Sequence, residues 1–225
     1  MLGIISVIGD WISNTIVKVG PVIGATVSAL VTKLPNIIIS AKIVVDTIST
    51  VVSKVAESLG IAPKDENPEE LGAKAIQDGT RPKMNTETTQ EYLDYLRKDV
   101  QLDREKYEKM SVEEKVACNA LGATMVSKSI EEKTGVELPP EFLMTVYKSK
   151  LRFEQVERFI NTFADRGISS MGDFTKYITN DLSEGQAEKV GRIIKDSIKE
   201  LSPTMTEEEI MQKVVDMKRS YNGLD

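Results

Sequence analysis

Four runs of adjacent acids, Glu69-Glu70, Glu113-Glu114, Glu131-Glu132 and Glu207-Glu208-Glu209, are the groups in this chain best able to do acid/base work or hold a cation. Their positions argue for a different task. Nearly all fall in the first turn or on the solvent face of an expected helix, where a carboxylate favours the helix dipole. The chain has no histidine, which excludes imidazole catalysis, His-containing triads and the Glu-x-x-His elements of a di-iron bundle. Its single cysteine, Cys118, excludes an intrachain disulfide and a thiolate cluster, and the setting Val116-Ala117-Cys118-Asn119-Ala120-Leu121 reads as a buried helix interior. Neither a phosphate-loop pattern nor a dinucleotide fingerprint occurs, and Asp173, Asp181, Asp196 and Asp216 lack calcium-loop spacing. No cofactor, no metal and no enzyme are therefore expected. A carboxylate-only active site has no constellation behind it.

The elements that carry these residues read as helices with clear stops. Expected helices span 86–110, 112–134 (opened by the capping pattern Ser111-Val112-Glu113-Glu114 and closed by Gly135), 140–166, 170–182, one after Ser183 through Leu201, and 207–221 behind Thr206-x-x-Glu209. Helix 140–166 holds an aromatic stripe, Phe142, Tyr147, Phe153, Phe159 and Phe163, whose helical spacing marks core. The nine methionines are scattered and read as ordinary packing. Residues 63–85, with Pro63, Pro68 and Pro82, read as a linker with room for a short helix at 68–77 behind Asn67.

The first 62 residues differ in kind. They hold Lys18, Lys33, Lys42 and Lys54 against Asp10, Asp46 and Glu57, or 4 − 3 = +1, whereas the remaining 163 residues hold 25 basic and 32 acidic side chains, a net of −7. Trp11 is the one aromatic residue in the apolar segment. No basic residue precedes Lys18 and Asp10 interrupts the apolar run, so a cleavable signal peptide is not expected. The uncharged runs, such as Val19–Thr32, are shorter than the roughly 18–20 residues of a lone transmembrane helix.

Pro21 and Pro35 break the segment into expected helices at 2–19, 22–33 and 37–59, a hairpin-like arrangement ended by Gly60. Its many β-branched residues leave a strand over 36–45 as the second reading. Lys42, Asp46, Ser49, Thr50, Ser53, Lys54 and Glu57 recur in steps of three and four, giving one narrow polar stripe beside a broad apolar face.

The expected architecture is all-α: an apolar helical segment at 1–62, a linker at 63–85 and an acidic helical bundle at 86–225. Three fates suit the apolar face: a membrane, copies of the chain or another protein, or the core of an ordinary helical domain. The expected membrane or oligomer interface comprises Trp11, Ile12, Ile16, Val19, Gly20, Gly24, Val27, Ile37, Ile38, Val44, Val45, Ile48, Val51 and Val52, with Gly20-x-x-x-Gly24 offering close helix approach. The leading functional reading is a non-enzymatic protein that inserts in or docks on a membrane, pore-forming or delivered by a phage-like or secretion device. The alternative is a structural subunit of a virion, tail or injection machine, with 1–62 buried between subunits. A protein partner is expected for the acidic bundle. With a net charge of −6, nucleic acid is not. The expected location is membrane-associated, virion-associated or secreted.

Overall fold

Pro21 and Pro35 decide where the first two helices begin. The computed structural model describes residues 20–78 and 88–223; the expected helix at 2–19 lies outside them. Proline suits the first position of a helix, where its missing N–H would have had no partner anyway, and Pro21 opens α1 (Pro21–Val31) in that way. After the turn at Pro35 comes α2 (Ile38–Ser58), so the strand reading of 36–45 is corrected to helix. Ala41, Val44, Val45, Ile48, Val51, Val52 and Val55 recur at helical spacing and are all buried, and their burial outweighs the weak helix propensity of β-branched residues. Gly60, at φ 69°, turns the chain out of α2 while Ile61 N–H donates to the Ala56 carbonyl at 2.8 Å.

By contacts the chain divides into two compact units, 1–132 and 133–225. The first also contains α3 (Pro68–Gln77), α4 (Thr89–Lys98), α5 (Arg104–Glu108) and most of α6 (Val112–Thr134). Asn67 caps α3 by accepting the Glu69 N–H at 3.0 Å, so a packed helix with Leu71, Ala73 and Ala75 buried stands inside the stretch read as linker. The single helix expected over 86–110 is two in the structure. Asp103 accepts the Lys106 N–H at 3.1 Å and opens α5, which requires the chain to leave the helical conformation first. Helix α6 matches its expected bounds and is buried continuously from Val116 to Ser127, as befits the central helix of a unit.

The second unit comprises α7 (Pro140–Lys148), α8 (Phe153–Asp165), α9 (Gly172–Thr179), α10 (Glu184–Leu201) and α11 (Glu207–Tyr221). The expected long helix 140–166 is corrected to two. Lys150 takes a left-handed conformation, φ 52°, and Leu151 N–H donates to the Val146 carbonyl at 3.0 Å, closing α7. The aromatic core supplies the reason. Phe142, Phe159 and Phe163 all surround Phe174, at 5.7, 4.9 and 6.4 Å between ring centroids. On one straight helix Phe142 and Phe163 would stand about 30 Å apart and could not share a ring. The described residues are all-α, with no strand beyond the isolated bridge between Glu137 and Ser170.

Candidate functional site

The expected interface residues divide sharply. Trp11, Ile12, Ile16 and Val19 lie outside the described residues. Gly24, Val27, Val44, Val45, Ile48, Val51 and Val52 are buried, Gly20 and Ile38 are partly exposed, and Ile37 is 65 % exposed. Three residues the expected set omits stand out beside it: Val22, Ile39 and Ile43, at 65, 69 and 52 %. Ile39 and Ile43 are four apart, hence on one face of α2, away from the buried Ala41–Val44–Val45–Ile48 face. That i,i+4 spacing was visible in the sequence, but so many aliphatics surround it that the exposed pair could not be told from the buried ones. Lys33 and Lys42 are exposed near the same end of α2. No helix among the described residues is long and apolar enough to cross a membrane.

Further along α2 its exposed face turns polar. The stripe from Asp46 to Glu57 lines one side of a cleft of about 380 Å³, facing the segment 65–69 and Asn119 of α6. Asn119 Nδ2 donates to Asp46 Oδ1 at 2.8 Å, and the Lys42 ammonium donates to Asp46 Oδ2 at 2.5 Å. That hydrogen bond holds the Lys42 pKa above its ordinary value. Lys54 reaches Glu57 at 2.9 Å and Asp65 at 3.5 Å. Arg97 grips Glu66 with two nitrogens at 2.6 and 2.9 Å, and Tyr107 donates its hydroxyl to Glu69 at 2.5 Å. Burial first, and then the Glu69 carboxylate, push the Tyr107 hydroxyl well above the usual tyrosine range. The carboxylates of the cleft are thus held by cations, amides or hydroxyls. Two buried acceptors remain without hydrogen-bond partners, Asn119 Oδ1 and Ser53 Oγ.

The paired acids take structural roles. Glu70 binds Arg104 at 2.7 Å, Glu114 and Glu209 complete capping boxes with Ser111 and Thr206, and Glu131 binds Lys128 at 2.7 Å. Glu131 and Glu132 sit in the last turns of α6, where the helix dipole opposes them. Glu132 is offset by accepting the Thr89 N–H at 2.8–2.9 Å at the start of α4, a long-range cap that local spacing cannot reveal. Cys118 is buried, and desolvation, with Glu69 and Glu114 beyond it, pushes its thiol up to about 12. No group of three Asp, Glu or Cys residues among the described residues could hold a metal ion. No protein-family model, curated protein or solved structure matches this chain.

Proposed function

We propose that the chain is a non-enzymatic docking protein that seats the start of α2 on an anionic membrane surface. The observation that carries this reading is the exposed row Ile37, Ile39 and Ile43 beside Lys33 and Lys42. Water is a poor solvent for such a row, and moving each isoleucine into the acyl boundary is worth about 1.5–3 kcal/mol. Lysines at the rim add attraction to anionic headgroups, Lys42 less so because it is already paired with Asp46. Together these terms suit reversible interfacial docking. The same step would begin the action of a pore-former or a protein delivered by a phage-like device, and dye leakage separates those from simple docking.

Truncation is a poor test, because α2 supplies core residues to its own unit. The full chain and an Ile39→Asp/Ile43→Asp variant should instead be floated with phosphatidylcholine vesicles, with and without phosphatidylglycerol. Flotation that needs the anionic lipid and is lost in the variant, with helicity unchanged, supports docking. A discrete oligomer that the variant dissolves, with no flotation, overturns it in favour of a subunit interface.

A further inference from the structure

Two openings in the second unit are lined by more cations than carboxylates; in one, Arg166 and Arg192 are already paired with acids, and the other holds an arginine that no acid pairs. Ser149, Lys150, Arg152, Lys213 and Asp216 line a depression of about 230 Å³, with three cations against one carboxylate, 3 − 1 = +2, in a chain of net charge −6. Three other arginines of this unit are matched to acids: Arg158 to Glu200 at 3.0 Å, Arg166 to Asp196 at 3.2 Å, Arg192 to Glu188 at 2.8 Å. Arg152 and Lys213 form no ion pair among the described residues, and Asp216 accepts instead from Gln212 at 2.7 Å. Ser149 is 4 % exposed, and its Oγ has no hydrogen-bond partner. Burying a hydroxyl without a partner is costly, so an occupant that restores the bond is favoured.

Helix geometry adds a fourth donor group. Arg152 is the N-cap of α8, a helix of 13 residues; its own N–H donates to Gln155 Oε1 at 3.0 Å and the Gln155 N–H to the Arg152 carbonyl at 3.0 Å, which leaves the Phe153 and Glu154 amides and the positive end of the dipole for another acceptor. An unpartnered hydroxyl, two uncommitted cations and a helix N-terminus share one requirement: a compact anion with several acceptor oxygens. We propose that this opening binds a phosphate group, presented by a soluble phosphomonoester or by the headgroup of a phosphatidic acid. A carboxylate offers its acceptor sites in one plane and carries a single charge, so it suits donors spread around the opening less well. A phosphate suits them better, and the arginine fork matches its geometry. The site lies in a different unit from the docking row, so either reading can fail alone.

The test uses the full chain with inorganic phosphate, read by titration calorimetry and phosphorus NMR line broadening at constant ionic strength. Saturable binding is expected. Arg152→Gln and Lys213→Gln should each weaken it about tenfold or more, as for loss of a charge-assisted hydrogen bond. Ser149→Ala should weaken it without lowering the thermal midpoint, because the hydroxyl it removes has no partner to lose. Preference for phosphatidic-acid over phosphatidylglycerol vesicles, relieved by free phosphate, identifies the lipid source; phosphate binding without that preference identifies a soluble one. Absence of saturable phosphate binding, or binding indifferent to all three substitutions, overturns the proposal. An Ile39→Asp/Ile43→Asp variant should bind phosphate like the parent.

Discussion

Gly122 of α6 lies directly against the Pro68 carbonyl at the start of α3: a Cβ added at Gly122 would stand 1.8 Å from that oxygen. The reciprocal contact is Gly72 of α3, whose Cβ would meet the Cys118 carbonyl at 1.9 Å. Gly72 lies four residues after Pro68 and Gly122 four residues after Cys118, so each glycine stands one turn from the residue that the other crowds, and the two backbones cross in direct contact. The obstacle is backbone on both sides, which no rotamer change can relieve. Gly122→Ala and Gly72→Ala should each destabilise the first unit by about 3 kcal/mol or more, seen as a lower urea midpoint. Gly185→Ala, where added bulk meets nothing, should leave stability near the parent's.

The Arg97–Glu66 pair should be the costliest ion pair to break. Their side chains are 15 and 6 % exposed, so removing one partner strands a charge away from water. Arg97→Ala should cost about 3–5 kcal/mol in chemical denaturation. Arg97→Lys should recover only part of that, because a single ammonium cannot replace a fork that also reaches Asp94 at 2.7 Å.

Asn119 couples α6 to the polar stripe through Asp46. Asn119→Asp would set a second carboxylate beside Asp46 at a position only 6 % exposed. The variant should lose about 2 kcal/mol or more at neutral pH, and part of that loss should return as the pH falls and the pair takes up a proton. Denaturant midpoints at neutral and acid pH check the sign.

Alkaline stability should be limited by two groups that keep their protons on folding. The Cys118 thiol is pushed from 9.0 to about 12 by burial, and the Tyr107 hydroxyl is raised above its ordinary 10.0 by burial and Glu69. Above about pH 9 for the thiol and about pH 10 for the phenol, the unfolded chain binds fewer protons than the folded one, so stability falls as pH rises. Below those values the contribution is complete and flat. Tyr107→Phe should make the decline above about pH 10 shallower. A chevron or urea series across that range measures it.

The same burial makes Cys118 a probe of local opening. A thiol reagent at neutral pH should react with it slowly in the folded chain and rapidly in urea. Fast labelling under native conditions would contradict the packing of α3 on α6.

Local chemistry determined a large part of this fold. Capping patterns at Ser111 and Thr206, prolines at 21, 68 and 140, and glycines at 60 and 135 mark helix ends by short-range hydrogen bonding and steric limits, and the structure places ends at those residues. The all-α class followed from the same rules. What failed was what depends on distant partners. Lys150 adopts a left-handed turn with no glycine to announce it, because Phe142, Phe159 and Phe163 must converge on Phe174. The apolar character of residues 20–62 was plain, yet which aliphatics are covered depends on where α2 meets its neighbours: Val44 and Ile48 go inside while Ile39 and Ile43 stay out. The cleft at Asp46 and the cationic opening at Ser149 are assembled from segments far apart in the chain. Composition and periodicity act over a few residues, whereas a site is a meeting of side chains across a packed core, so only the tertiary structure could decide it.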